Sequence, residues 1–150
     1  MISDDHNQLR YIGYGLVADV NTWKRNFNMA GGAPYYRSPE NIVALGSVPM
    51  SEMNNMTKAS DIWALGCIIY YILTRKHAFQ NDMQDSIQSI NYTILGTEPN
   101  YERLPTVYRQ SPNFMKMLKG MLMKDPIQRM KIGEVEDLYE QAFNEINQST

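Results

Sequence analysis

The chain has 150 residues, of which 43% are apolar and 20% are charged, and its formal net charge is −2 at pH 7. A chain of this length and apolar content can form one compact domain with a buried core. Its charge balance supplies no positive field that would attract a polyanion, so the composition argues against nucleic acid and membrane partners.

The single cysteine, Cys67, indicates a reducing compartment. One cysteine cannot form a disulfide within the chain, and no cluster of histidines and cysteines accompanies it at metal-ligand spacing. The N-terminus carries Asp4 and Asp5 and lacks the basic and apolar blocks of a secretory signal. We therefore expect a cytoplasmic protein without a metal site, in which Cys67 is a small core residue.

The N-terminal part of the chain predicts a short β-hairpin followed by a long loop. A turn-forming run, Asp4 to Asn7, separates Met1-Ile2 from the apolar and aromatic run Leu9 to Ile12. Residues 18–34 show no hydrophobic period and are rich in Asn, Gly and Pro, which is typical of a loop. Loops of this length usually carry function.

The stretch SDIWALGCIIYYILT, residues 60–74, predicts the central helix of the core. It has no charge after Asp61 and is apolar on every face, so we expect it to be buried all round. Ser60 or Asp61 is the predicted N-cap, and Trp63 is expected to anchor the core. The stretch is too short to cross a bilayer, which needs about 20 residues.

Three amphipathic helices are predicted after the central helix. The first ends just before Gly96, the second lies between the N-cap Ser111 and the stop signal at Asp125, and the third covers residues 133–146. The apolar residues expected in the core recur at helical spacing: Ile87, Ile90 and Ile94, then Phe114, Met117, Leu118, Met121 and Leu122, then Val135, Leu138, Tyr139, Ala142 and Ile146. The acidic residues of the last helix are expected to face solvent: Glu134, Glu136, Asp137 and Glu140.

Three segments resemble consecutive motifs of the C-terminal lobe (C-lobe) of protein kinases. They are GGAPYYRSPE at 31–40, SDIWALGCIIYYILT at 60–74 and LKGMLMKDPIQR at 118–129. They resemble, in turn, the Ala-Pro-Glu segment that closes the activation loop, the central buried helix and the stretch before the last helix. The resemblance implies a mainly α fold, a kinase-like C-lobe fragment with a helical bundle around a buried central helix and a short N-terminal β-hairpin remnant. Residues 1–150 would form one partial kinase-like domain.

The resemblance places an activation-segment-like loop at residues 13–40. Its start lies where kinases carry Asp-Phe-Gly, with Gly13 at the position of the aspartate that holds magnesium, Tyr14 at the phenylalanine and Gly15 at the glycine. Glycine has no side chain to coordinate a metal, so this metal-binding motif is degenerate. The alternative, a phosphate-binding loop at Gly13-Tyr14-Gly15, lacks the third glycine and the following helix N-terminus of such loops.

The resemblance implies that residues 1–150 do not transfer phosphate by themselves. Kinases use Mg and ATP, held by a Gly-rich loop, a strand lysine, a His-Arg-Asp loop and the metal-binding aspartate. None of these motifs occurs in the sequence, and Ala33 stands where serine/threonine kinases have a threonine that reaches the catalytic aspartate. We therefore expect no catalytic residue, no metal and no cofactor in this chain.

The resemblance also assigns structural roles. The residues concerned are Glu40, Arg129, Asp61, Trp63, Gly66 and Asp125. Glu40 and Arg129 match the carboxylate and guanidinium of a buried ion pair in the family. Asp61 either caps its own helix or corresponds to an aspartate that accepts hydrogen bonds from the catalytic loop.

A docking surface is implied as well. In kinases the segment that closes the activation loop forms a ledge facing the substrate, and its counterparts here are Gly32, Ala33, Pro34, Tyr35, Tyr36, Arg37, Ser38, Pro39 and Glu40. The helix around 87–94 is a second candidate surface. Without an upstream lobe, apolar surface around 62–73 is expected to be exposed and to bind a protein partner or a second copy.

Three functions remain open from the sequence. The first is a non-catalytic, kinase-like C-lobe module that binds proteins or acts as a regulatory scaffold in signalling. The second is the distal part of a serine/threonine protein kinase that transfers the ATP γ-phosphate to protein hydroxyls, which Gly13 argues against. The third is an unrelated helical interaction protein, which would lack the central buried helix.

Overall fold

The described chain is built from α-helices. The structure, a computed structural model, describes residues 33–43, 50–80 and 86–148, and for residues 50–57 it describes the backbone alone. In these ranges the helices are α1 (Pro39–Val43), α2 (Met50–Thr74), α3 (Ile87–Gly96), α4 (Thr106–Gln110), α5 (Pro112–Met121) and α6 (Ile132–Gln148), with 3-10 turns at Pro34–Tyr36 and Tyr101–Arg103. The predicted N-terminal hairpin and most of the loop at 18–34 lie outside the described residues.

The long helix α2 begins at Met50, so the prediction that Ser60 or Asp61 caps it is wrong. Both residues lie inside the helix. The sequence from Met50 to the first glycine of the helix, Gly66, contains no proline and several strong helix formers, so nothing stops the helix from extending toward the N-terminus.

Helix α2 is buried on one face, not on all faces as predicted. Trp63, Cys67 and Tyr70 recur at helical spacing and are at most 1% exposed. On other faces Leu65, Ile68 and Ile72 remain 37%, 43% and 56% exposed, while α5, α1 and the turn Pro34–Tyr36 pack against the helix. The expected apolar surface within 62–73 is therefore present, because the described elements that pack on α2 leave part of it uncovered.

Helices α5 and α6 pack against each other, and the start and buried face of α5 follow the prediction. The predicted end of α5 is wrong, because the helix ends at Met121 rather than at the stop signal near Asp125. Ser111 caps α5 by accepting a hydrogen bond from the Phe114 backbone N–H at 3.1 Å, and the predicted apolar residues of α5 are buried. The capping site is closed by α6, because Glu145 accepts hydrogen bonds from the Ser111 hydroxyl at 2.5 Å and from the Asn113 amide at 2.6 Å. This contact between the two helices was not predicted.

Two details of the amphipathic helices differ from the prediction. Tyr139 of α6 is exposed, because this helix buries only the narrow stripe formed by Val135, Leu138 and Ala142. In α3, Ile87 is exposed at the first turn, whereas Gly96 is the last helical residue rather than the one after it. In each helix the elements that pack on one side bury a narrower stripe than the apolar pattern suggests.

The short elements α1, α4 and the two 3-10 turns were not predicted. Each has three to five residues, too few to display a helical period. Within the described ranges, no helix has both the length and the apolar character that crossing a bilayer requires.

Candidate functional site

The ledge segment, defined here as the described residues Ala33–Glu40, runs from the surface into the core. Pro34 opens the 3-10 turn, which is closed by the Tyr36 N–H donating to the Ala33 carbonyl at 3.1 Å. Ala33 is exposed, the two tyrosines are half-buried, and the residues from Arg37 to Glu40 are buried. The segment therefore presents its first half to solvent and is anchored by its second half.

The anchor is a buried ion pair between Glu40 and Arg129. The Arg129 Nη1 and Nη2 atoms donate to the two carboxylate oxygens of Glu40 at 2.6 and 2.8 Å. Both side chains are almost completely removed from solvent. This is the bidentate geometry that arginine provides and lysine does not, and it is the pairing expected from the sequence.

The remaining donors of Arg129 are also satisfied. Its Nη1, Nε and Nη2 atoms donate to the carbonyl oxygens of Ala59 at 2.8 Å, Met123 at 2.8 Å and Lys124 at 3.1 Å. A guanidinium has five N–H donors, so these contacts and the two to Glu40 use all of them. One side chain thereby joins the ledge segment, α2 and the turn after α5.

Ser60 forms a second connection to the ledge segment, and the sequence did not reveal it. The Ser38 hydroxyl donates to the Ser60 oxygen at 2.9 Å, and the Ser60 hydroxyl donates to Glu40 Oε1 at 2.8 Å. Ser60 was expected to cap a helix because serine is common there. Its contact with residues some twenty positions earlier has no local sequence signal.

Trp63 lies beneath the ion pair, as a core anchor should. Its ring stacks on Phe79 with ring centroids 5.1 Å apart, and the Arg129 guanidinium lies over it at 5.1 Å from the centroid. A cation over a tryptophan face is attracted by the ring quadrupole. The aromatic floor thus contributes to holding the arginine in place.

Gly66 and Asp125 each support this arrangement. A Cβ atom at Gly66 would lie 3.0 Å from Leu122 Cδ2 and 3.1 Å from Met121 Cβ, so the glycine permits α2 to approach the end of α5. Asp125 shapes the turn before Arg129, because its carboxylate accepts from the Ile127 N–H at 2.9 Å and its carbonyl from the Arg129 N–H at 3.0 Å.

Asp61 stands apart from the ion pair. It is exposed on α2, and it cannot cap a helix that begins at Met50. Although the residue is exposed, desolvation of its carboxyl group by the neighbouring protein raises its pKa. The alternative predicted for Asp61, a contact with a catalytic loop, is not tested by the described residues.

An aromatic cluster lies under the exposed half of the ledge segment, and the sequence did not predict it. The His77 ring stacks on Tyr35 with centroids 4.0 Å apart and on Tyr71 at 4.9 Å, and Tyr36 meets it edge-on at 5.6 Å. Residues from the ledge segment, α2 and the turn after α2 are thereby brought together. The contacts of His77 with the two ledge tyrosines link positions far apart in sequence, which no local pattern can indicate.

The degenerate motif Gly13-Tyr14-Gly15 and the first ledge residue, Gly32, lie outside the described residues, so their roles stay predictions. Among the described residues, no three His, Cys, Asp or Glu side chains converge where a metal ion could be held.

Curated proteins similar to this chain are serine/threonine kinases by name. The chain is 35% identical over 135 residues to "Serine/threonine-protein kinase Nek3" of Oryza sativa subsp. japonica, which covers 89% of this chain and 20% of that protein. It is 28% identical over 125 residues to "Probable serine/threonine-protein kinase nek3" of Dictyostelium discoideum, covering 83% and 10%. It is also 28% identical over 107 residues to "Serine/threonine-protein kinase PKZ1" of Phytophthora infestans, covering 70% and 27%. The chain thus spans at most about a quarter of the length of these relatives.

The family comparison covers nearly the whole chain. The profile described as "Protein kinase domain" matches residues 1–143. This match excludes the third function considered from the sequence, an unrelated helical protein. Together with the mainly helical fold and the relatives' names, it shows that the chain belongs to the protein kinase family.

Proposed function

We propose that residues 1–150 act as a kinase-like C-lobe module that binds other proteins and does not itself transfer phosphate. The observation that carries the proposal is the anchoring of the ledge segment by the fully hydrogen-bonded Glu40–Arg129 pair. The position that resembles the metal-binding aspartate is occupied by Gly13, which supports binding over catalysis.

An anchored ledge is suited to binding because its conformation is set before a partner arrives. Ordering a loop or a side chain on binding costs free energy, and a segment already held by buried contacts avoids much of this cost. The half-buried Tyr35 and Tyr36 add aromatic surface, which is enriched in protein interfaces. The proposed partner is therefore a protein segment that lies along Ala33–Tyr36.

The proposed module is cytoplasmic and has no cofactor, as expected from the sequence. The lone, buried Cys67 is consistent with a reducing, cytoplasmic environment, and no cofactor is assigned to the module. Kinases of this family use Mg and ATP, whereas the proposed module acts without either.

Peptides selected by phage display against the intact chain test the docking surface. Ala33→Arg places a long charged side chain on the exposed start of the ledge, and Ile127→Arg makes the same addition at a site that is 89% exposed. We expect selected peptides to bind Ala33→Arg roughly tenfold more weakly, as for loss of a central contact, and to bind Ile127→Arg normally. Equal affinity of the selected peptides for the two variants would show that the ledge segment is not the docking surface.

The second candidate, the distal part of an active serine/threonine kinase, is favoured by the names of the relatives. Joining the chain to any natural upstream sequence and incubating the product with Mg, radiolabelled ATP and a serine/threonine peptide library separates the two. The proposed module incorporates no phosphate, whereas phosphorylated peptides would overturn its non-catalytic character. The intact mass of the endogenous protein adds a second criterion, because a mass far above that of these 150 residues would favour a whole kinase.

A further inference from the structure

Helix α6 carries a second apolar stripe that the fold does not use. Its buried stripe, Val135, Leu138 and Ala142, faces the core. Ile132, Tyr139 and Phe143 are 54%, 57% and 55% exposed. Their spacing of seven and four residues returns a helix to nearly the same face, so they form one line along the outside of α6.

This line is aromatic at its centre and acidic at its side. The rings of Tyr139 and Phe143 lie 6.2 Å apart and form a continuous surface. Glu136 and Glu140 each lie three residues from an aromatic residue of the line, so they are its neighbours on the helix surface. Glu140 also lines a shallow groove together with Tyr139 and Phe143. We call Ile132, Glu136, Tyr139, Glu140 and Phe143 the outer stripe.

All charged residues of α6 are acidic. The helix contains Glu134, Glu136, Asp137, Glu140 and Glu145 and no lysine, arginine or histidine. Glu134 accepts from the Lys131 N–H at 2.8 Å and Glu145 is engaged by α5, but the ion pairs found among the described residues do not include Glu136 or Glu140. Within the described ranges, the outer stripe therefore presents carboxylates that no cation pairs with, next to exposed aromatic rings.

We propose that the outer stripe is a docking site for a basic amphipathic segment of a partner protein. An arginine or lysine can stack on the Tyr139 or Phe143 ring while pairing with Glu140, and an apolar side chain can lie against Ile132. An amphipathic helix laid along another helix matches the length and straightness of such a stripe. Opposite charge on the partner sets the choice of partner more than the apolar contact does.

A second copy of the chain is a poor occupant. A two-fold interface would bring the same patch of both copies together, and Glu136 and Glu140 of one would face those of the other. Like charges placed opposite each other in an interface oppose association. The proposal does not rest on docking at the ledge segment, which shares no residue with the outer stripe.

Fluorescence anisotropy with the intact chain tests the charge requirement. The probe is a labelled amphipathic helical peptide of leucine, alanine and arginine, and its counterpart carries glutamate in place of arginine. We expect binding of the basic peptide, weakened by added salt, and affinity for the acidic peptide lower by roughly tenfold or more. Equal affinity for the two peptides would overturn the proposal.

Matched variants locate the site. Glu140→Lys reverses a charge in the outer stripe, whereas Asp137→Lys makes the same change on another face of α6. Phe143→Ser removes an exposed ring, whereas Ile127→Ser removes an exposed side chain elsewhere. We expect Glu140→Lys and Phe143→Ser each to weaken binding of the basic peptide roughly tenfold and the two controls to change it less than about twofold.

The control variants also separate binding at the outer stripe from unfolding and from a general effect of charge. All of these residues are exposed, so circular dichroism should show an unchanged helical spectrum. Equal losses in Glu140→Lys and Asp137→Lys would mean that the peptide senses overall charge, which would overturn the stripe as a site. Self-association of the chain that Glu140→Lys abolishes would show that a second copy occupies the stripe, which would also overturn the proposal.

Discussion

At the scale of single residues, Arg129 is the side chain on which the ledge segment depends most. Its guanidinium is buried, bonded to Glu40 and to three carbonyl oxygens, and stacked over Trp63. A buried charge whose partner is removed keeps its desolvation cost without compensation. The pair therefore matters more for placing the ledge than for net stability, since two apolar residues could replace it with little loss.

The first prediction concerns this pair. Arg129→Ala and Glu40→Ala should each lower the free energy of unfolding by about 3–5 kcal/mol, and the double variant should cost far less than their sum. Urea denaturation measures the three values. Glu102→Ala, which breaks the exposed pair with Arg109 at 2.6 Å, is the control and should cost only about 0–1 kcal/mol. Additive effects at Glu40 and Arg129 would contradict the pairing.

The second prediction concerns the thiol of Cys67. Burial raises its pKa to about 12 from the ordinary thiol value of 9.0, and the nearby Arg129 charge opposes that rise. Because the folded pKa is the higher one, the contribution to stability is complete below pH 9 and is lost as the pH rises toward about 12. The unfolding free energy of the natural chain should therefore fall more steeply over this window than that of Cys67→Ala.

Labelling with iodoacetamide gives an independent check of Cys67. Thiolate is the reactive form, and a buried neutral thiol is inert. At pH 8 the folded chain should remain unlabelled while the urea-unfolded chain is labelled at Cys67. Rapid labelling of the folded chain would show that the thiol is accessible, against its 1% exposure.

At the scale of elements, the contact between α2 and α5 depends on a glycine. Gly66 lies where a Cβ would meet Leu122 and Met121 at 3.0–3.1 Å. In α6, by contrast, a Cβ at Gly133 would meet nothing within 4 Å. The two glycines share a helical setting and differ in the space around them.

The third prediction follows from this difference. Gly66→Ala should destabilise the chain by about 1–3 kcal/mol, the usual cost of overpacking, because the two helices must separate. Gly133→Ala should be neutral or stabilise by up to about 1 kcal/mol, because alanine loses less backbone entropy in a helix. Thermal unfolding followed by circular dichroism compares the two, and a lower melting temperature for Gly133→Ala than for Gly66→Ala would refute the packing argument.

Elements also differ in how far they could be predicted. Helix α5 was predicted with its cap and its buried face, because Ser111, Pro112 and the apolar period are all local signals. The start of α2 was missed, because Ser60 resembles a cap but bonds to Glu40 instead. Exposure of Tyr139 was missed for a similar reason, since a pattern shows which residues are apolar but not how wide a face the neighbouring helix covers.

At the scale of the whole molecule, the exposed apolar part of α2 sets the surface properties. Leu65, Ile68 and Ile72 form an apolar surface near Tyr71, itself 36% exposed. Large apolar patches of this kind mark interaction sites or promote association. This surface is separate in sequence from both proposed docking sites.

The fourth prediction tests this surface. Ile68→Gln with Ile72→Gln should reduce binding of the dye ANS, which binds exposed apolar surface, and should reduce concentration-dependent association in sedimentation velocity. The matched control combines Ile87→Gln with Ile127→Gln, which are exposed elsewhere at 53% and 89%. Equal dye binding by the two double variants would show that the α2 surface has no special role.

The sequence by itself determined the helical fold class, because helical period and caps are properties of neighbouring residues. The pairing of Glu40 with Arg129 was implied by the resemblance of the motifs to those of protein kinases. Only the tertiary structure decided that Ser60 bonds to Glu40 of the ion pair, that His77 stacks on Tyr35 and on Tyr71, and that one line of α6 stays exposed. These features depend on which surfaces meet after residues distant in sequence are packed together. Packing fills and hydrogen-bonds the available space in three dimensions, and a local pattern carries no record of what lies across that space.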